Sequence, residues 1–561
     1  MAANVAKRIE MVLAQERGQR SAKRPRRFGG FSGASSRGRG NFGRDHPPRP
    51  FHLALHKKGS SCEAFQEVAA RLFRKQLQDF SGSNCEAFLE LLVSSFLFGT
   101  VIFVLIFHQF FFVKHEPKGL PSGSMGLPFV GETFGFFTPH KSFSIGNFLQ
   151  EHRSRYGKVF KSYLFGSPTI VSCDLEFSIF VLQNEGKLFQ SSYPKSVRDI
   201  LGKHSLMLVT GDLHKKFRSI EVGLINKFKC KPDFLACVDK LCSSLMESWR
   251  GNQLVLFSKE AKQFSFNLML MNVLDMEPGE PLALQLLEDF LTFMKGFVSI
   301  PINLPWTSYA KALKARTRIS STLKQVLKDR KKRKDLGING IAKEDVFNEN
   351  LLKGYLSDAE KVSILQDLLL AGYETTSGLL SLLVYFLAQS PQALQYMKDE
   401  HRALRRKKKE GEPLNWEDYK QMKFTSMVIN ETLRCGNLVK FVHRKAVKNV
   451  EFKEYYIPAG WKVLPILSVV HLDPSLHQNP SEFNPWRWID PTTSKKVIPF
   501  GGGLRLCPGW ELAKLEAALF LHHLVINYRW TAKEDDHPML YPYLEFPKEL
   551  LMTLEAETNK F

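Results

Sequence analysis

Hydrophobic and polar positions divide the chain into unlike zones. Residues 357–390, SDAEKVSILQDLLLAGYETTSGLLSLLVYFLAQS, run apolar for about nine turns. Ser357 and Glu360 stand at capping-box spacing ahead of that run, so a helix starts there. It is too hydrophobic all round for a surface position and is predicted to cross the middle of a domain. The stretch 415–435, NWEDYKQMKFTSMVINETLRC, predicts a second helix. Alternation bounded by turn residues predicts short strands at 158–172 and 449–466.

The N-terminal zones differ. Residues 91–113 carry no formal charge, and 23 helical residues span about 34 Å, enough for a bilayer core of about 30 Å. The alternative is a buried core helix. Residues 114–132 are basic, then rich in Pro and Gly, and read as a stiff tether. Residues 1 to about 60 have no apolar period and read as disordered. The expected organisation is therefore an arm at 1–80, a transmembrane anchor at 91–113, a hinge at 114–132 and a large globular domain at 133–561. That domain is expected to be mainly α with a smaller β region.

Composition sharpens this picture in two places. The 45 phenylalanines against 14 tyrosines suggest a large, dry interior. The eight cysteines form no CxxC pair and are irregularly spaced, which argues against a disulfide framework or a zinc site. The formal charge is +22, and residues 1–80 hold half of it, with 17 Lys/Arg against 6 Asp/Glu.

One short stretch carries most of the chemistry. Residues 499–509 read PFGGGLRLCPG, four glycines and an arginine around one cysteine. Glycine in such density costs backbone entropy and needs a local reason. The pattern suggests a thiolate held against something large and flat. Phe500-x-x-Gly503-x-Arg505-x-Cys507-x-Gly509 resembles the haem-binding loop of the cytochromes P450, with all five fixed positions filled.

The resemblance covers 114–561 and implies a cytochrome P450 fold with a buried haem b. It implies Cys507 as the iron's axial thiolate, which favours O–O cleavage. Arg505 would pair with a haem propionate and Phe500 would pack near the thiolate, with the glycines letting backbone N–H groups approach the sulfur. Glu431 and Arg434 match the family's ExxR pair, and Arg487 in FNPWRW supplies the third member of that network. Ala371-Gly372-Tyr373-Glu374-Thr375-Thr376 matches the oxygen-activation motif. Gly372 would open a groove, and Glu374 and Thr375 would relay protons; Thr375 bonding back to its own helix is the alternative. Here His214 replaces the tryptophan of the WxxxR motif while Arg218 is retained. Arg218, His214 and Arg444 are expected around the propionates. By family position, Tyr193, Ser196, Phe297, Leu370, Val439, Phe441 and Tyr543 would line the substrate pocket.

Further stretches, among them SSYPKSVRDILGKHS and FVSIPINLPWTSYAKALKAR, resemble plant steroid-oxidising members, nearest the brassinosteroid C-22 hydroxylases. This implies a sterol substrate and electrons from NADPH through the FAD/FMN of a P450 reductase. It also implies an endoplasmic reticulum membrane with the domain facing the cytosol. A plastid is the alternative location, and a gibberellin or abscisic acid the alternative substrate. The basic arm fits poorly, because the positive-inside rule would hold it in the cytosol. It reads as a gene-model artefact, a transit peptide or an RNA-binding segment of an inactive chimeric product; no nucleic-acid partner is otherwise expected.

Overall fold

A computed structural model describes residues 85–557, apart from 114–116, 128–129, 231–233, 252, 336–355, 410–411, 534 and 542. The basic arm and most of 343–361 lie outside the described residues. The chain is helix-rich, with smaller sheets.

After a first helix, α1 (Cys85–Val113), eight helices position the site: α2 (Leu175–Gln183), α3 (Gly211–Cys230), α4 (Phe257–Met269), α5 (Pro281–Met294), α6 (Ser308–Asp335), α7 (Asp358–Ala388), α8 (Lys423–Gly436) and α9 (Trp510–Asn527). Helix α7 starts at the expected cap. Ser357 Oγ accepts from the Glu360 N–H at 3.3 Å, and the Glu360 carboxylate accepts from the Ser357 N–H at 2.7 Å. Most of its side chains are buried, as an all-round apolar pattern requires. Helix α4 packs directly on it. A Cβ built on Gly372 would lie 2.4 Å from the Met269 sulfur, so a larger residue there would have to displace the Met269 side chain of α4. Tyr373 meets Phe266 of α4 edge to face at 5.5 Å between centroids.

Five strands form the main sheet: β1 (Val159–Leu164), β2 (Ser167–Ser172), β3 (Phe189–Ser191), β4 (Arg444–Ala446) and β5 (Lys462–Pro465), in the spatial order β1-β2-β5-β4-β3. Strands β2 and β5 pair in parallel from Thr169 opposite Lys462, and the other pairings are antiparallel. Residues 158–172 thus form the β1–β2 hairpin. Its two-residue turn, Phe165–Gly166, takes positive φ at both positions. A second antiparallel sheet joins Leu254–Leu256, Leu551–Ala556 and Tyr528–Ala532.

One expectation needs correction. The stretch 415–435 is two helices, Trp416–Gln421 and α8, broken at Met422. Asn415 caps the first through a capping box with Asp418. The second is capped from outside: the Glu400 carboxylate accepts from the Phe424 and Thr425 N–H groups at 2.7 and 2.9 Å. A cap supplied by another helix leaves no local sequence signal.

Residues 91–113 fall within α1, where Leu92, Phe96, Leu97, Val101 and Phe103 are exposed. Among the described residues, the helix that meets a membrane-span test of length and hydropathy is α7, and it is mostly buried.

Candidate functional site

The loop 499–509 joins a run of 3-10 turns to α9 and closes on itself: the Cys507 N–H donates to Phe500 O at 3.0 Å. The glycines answer to different needs. Gly503 has φ +63°, and a Cβ there would lie 2.1 Å from Leu182 O, so it serves close packing against the end of α2 rather than approach to the sulfur. The Gly509 N–H is the group directed at Cys507. Burial pushes the Cys507 thiol up, while that N–H and the Arg218 charge draw it down. Phe500 packs against Trp510, and the Lys514 ammonium lies 5.6 and 5.5 Å from the two ring centroids.

A buried charge network ties the segment that leads into the loop, residues 471–488, to α8. Glu431, fully inaccessible on α8, receives Arg434 Nη2 at 2.7 Å and Nε at 2.9 Å, Arg487 Nε at 2.9 Å, the Trp488 indole N–H at 2.9 Å and the Asn484 N–H at 3.0 Å. Arg434 also donates to the carbonyls of His471, Pro480 and Glu482. Every carboxylate oxygen is thus paired, and the Glu431 pKa lies below the ordinary value: burial pushes it up, but Arg434 and the other donors outweigh burial. Trp488 and Asn484 were not read from sequence as members.

A second strut was also missed. His471 Nε2 accepts the Ile498 N–H at 3.1 Å, which fixes the tautomer with a proton on Nδ1. That Nδ1–H donates to Asn437 Oδ1 at 3.0 Å, and Asn437 Nδ2 donates to Ser142 O at 2.9 Å. Burial lowers the His471 pKa to about 3, so the ring is neutral.

Around Cys507 a slot of about 250 Å³ is lined by Leu182, Gly372, Thr375, Arg444, Phe500, Gly501, Arg505 and Gly509, among others. At its edge Arg505 Nε donates to Glu185 Oε1 at 2.7 Å, and its Nη atoms donate to the carbonyls of Leu206, Met207 and Val209. Arg444 Nε lies 2.8 Å from Glu185 Oε2, but neither atom has an aligned hydrogen bond. His214 is buried and held neutral, its pKa lowered to about 4 by burial and by Arg505 and Arg218. Glu185, not anticipated, sits in an unremarkable polar loop and gives no sequence signal.

This donor set fits a haem. It offers one soft thiol in a mainly apolar slot, a glycine of α7 without a side chain in the slot wall, and an edge of guanidinium groups suited to carboxylates. The unaligned Arg444 N–H is a buried donor of the kind a propionate would take up.

The slot opens on a cavity of about 1360 Å³, and Glu221, Asp367, Ala371, Thr375, Leu438 and Val439 line both spaces. Tyr193, Ser196, Phe297, Leu370, Val439, Phe441 and Tyr543, all read from family position, line this one cavity. Glu374 faces it too, away from the slot. Thr375 borders both, and its hydroxyl donates to Ala371 O at 2.7 Å. That is the local alternative for a mid-helix threonine; its oxygen retains lone pairs toward the slot.

Several acids near this boundary were not anticipated. Asp367 on α7 and Glu221 on α3 are both buried, and burial pushes both pKa values up, Asp367 to about 7. Glu516 of α9, beside Thr376, is pushed to about 8. Asp367 was legible as the lone acid in SILQDLLLAG; nothing marked Glu221 apart from other helix-surface acids.

A family model described as cytochrome P450 matches residues 121–553. A rice protein, cytochrome P450 724B1, is 50% identical over 464 residues, covering 81% of this chain and 95% of its own length. Cholesterol 22-monohydroxylase CYP90B52 of Paris polyphylla is 46% identical, covering 79% and 95%. A steroid (22S)-hydroxylase of Brachypodium distachyon is 44% identical, covering 78% and 88%. Among solved structures, retinoic acid bound cyanobacterial CYP120A1 aligns with a TM-score of 0.68 at 27% identity, covering 78% of this chain and 99% of that one.

Proposed function

The chain belongs to the cytochrome P450 family and is a haem b monooxygenase, and within that family we propose that it hydroxylates the side chain of a plant steroid at C-22. The observation that carries this reading is that two relatives named for steroid 22-hydroxylation match at 44–46% identity across the whole globular block. The apolar cavity beside Cys507 is large enough for a fused-ring substrate, which supports it. A brassinosteroid precursor of the campesterol or campestanol type is the specific substrate.

When bound, haem b supplies dioxygen activation at a thiolate-ligated iron. Cys507 would be its ligand; burial holds the free thiol above its ordinary pKa, and the Gly509 N–H and Arg218 oppose burial by favouring the thiolate that a metal takes. Arg444, Arg505, His214 and Arg218 form the propionate edge. Thr375 at the boundary between slot and cavity and Glu374 on the cavity side would relay protons, and the seven cavity residues orient the steroid and exclude water. Electrons come from NADPH through a P450 reductase. The α1 helix anchors the enzyme in the endoplasmic reticulum, with the catalytic block in the cytosol.

The test is reconstitution of the haem-loaded enzyme with reductase, NADPH and campesterol or campestanol. A 22-hydroxysteroid is expected by mass spectrometry. Oxidation of fatty acids with no 22-hydroxysteroid would overturn the assignment. Cys507→Ser should abolish the red-shifted carbon monoxide band of the reduced enzyme.

A further inference from the structure

Two buried carboxyls, one on α3 and one on α7, line the place where slot and cavity meet, each within electrostatic reach of the other. Glu221 is 3% exposed and Asp367 is 8% exposed. Asp367 Oδ2 accepts the Leu206 N–H at 2.6 Å. Glu221 Oε1 is buried with no hydrogen-bond partner among the described residues, although its side chain lines both spaces. A buried carboxyl oxygen without a partner is costly and calls for a ligand or a shared proton.

We propose that Glu221 and Asp367 form the seat for a substrate hydroxyl at the end of the molecule remote from the oxidised carbon. This rests on the steroid reading above and deepens it: the ligand class is a 3-hydroxysteroid. Two carboxyls that share one proton present a donor and an acceptor side by side, and an alcohol satisfies both at once. The raised pKa values of both groups agree with a shared proton near neutral pH. The spacing agrees as well. Asp367 and Thr375 lie eight residues apart on α7, a rise of about 12 Å, comparable to the length of a fused four-ring skeleton. A steroid lying in the cavity with its side chain at Thr375, on the cavity side of the slot, therefore places its far hydroxyl at the pair. The neighbouring cavity wall is mainly apolar, with Leu206, Leu370, Leu287 and Phe297, and suits the ring system between the two ends.

Asp367 also anchors the loop at Leu206, so a purely structural role must be separated from recognition. The discriminating pair is 5α-cholestan-3β-ol and 5α-cholestane, which differ by the hydroxyl alone. Dissociation constants are measured by optical titration of the haem-loaded wild type and of Glu221→Met, an apolar near-isostere. The wild type is expected to bind the alcohol at least about tenfold more tightly than the alkane, as a hydrogen bond to a buried polar site implies. Glu221→Met should bring the two to parity by weakening the alcohol alone. Equal wild-type affinities would overturn the proposal, and that measurement stands even if Glu221→Met fails to load haem. Equal weakening of both ligands in the variant would overturn it as well, assigning the pair to cavity shape. If wild-type 22-hydroxylation of steroids persists in either case, only this inference falls. A wild type that binds neither compound and hydroxylates no steroid removes the steroid reading, and this inference with it.

Discussion

Glu431 and Glu221 are both almost inaccessible glutamates on helices, and burial has opposite outcomes for them. Glu431 meets two arginines, an indole and a backbone amide and stays ionised, with its pKa below the ordinary value. Glu221 has an oxygen with no partner among the described residues, feels the charge of Asp367, and is pushed up by burial and by that acid. Burial alone decides neither; the count of donors around the carboxylate does. The first region is over-determined and pins residues 471–488 to α8. The second keeps hydrogen-bonding capacity in reserve beside a cavity.

Removing the ionised side of that contrast has the largest expected effect. Glu431→Ala takes the counter-charge from two guanidinium groups, which keep only uncharged partners, and leaves the Trp488 and Asn484 N–H groups without their acceptor, at a cost of about 3–5 kcal/mol. That is a large share of ordinary stability. Haem bound per polypeptide should fall severalfold, and an unchanged haem content would show that the network does not hold the loop. His471→Ala frees the Ile498 N–H and Asn437 Oδ1 and should cost less, about 1–3 kcal/mol, read as a lower apparent melting temperature and faster haem loss.

The two regions should also respond oppositely to pH. Glu431 has a lowered folded pKa, so its stabilisation is present above its unfolded value of 4.5 and is lost as pH falls through the folded one. Asp367 is raised from 3.8 to about 7, so its penalty grows as pH rises between those values and is then constant. Asp367→Asn keeps an acceptor for Leu206 and removes the penalty. Its melting temperature relative to wild type should therefore climb between about pH 4 and 7 and level off above. A difference that is flat with pH would deny the raised pKa. The smallest effect is expected at an exposed pair: Arg250→Ala, opposite Glu247 at 2.9 Å, should change stability by less than about 0.5 kcal/mol.

What the sequence disclosed follows the same division. Glu431, Arg434, Arg487 and Cys507 stand at fixed spacings, and the α7 cap is a four-residue local pattern, so both were legible. The break at Met422 was not, because the cap on α8 comes from Glu400 on another helix. Glu185, His471 and Glu221 were missed for one reason: each acts on partners far away in the chain, and isolated polar residues carry no period. The apolar setting of Asp367 did mark it, but only its position opposite Glu221 gives that mark a meaning.

Leu206 is gripped from both sides: its N–H by Asp367 of α7 and its carbonyl by Arg505 of the cysteine loop, at 2.6 and 2.9 Å. An irregular segment of this kind ordinarily exchanges its amide protons with solvent quickly. Here the Leu206 amide should rank with those of helix interiors in deuterium uptake, and a guest occupying the acid pair should slow it further. That single peptide proton becomes a reporter, readable without turnover, of whether the two halves of the active site are clasped together.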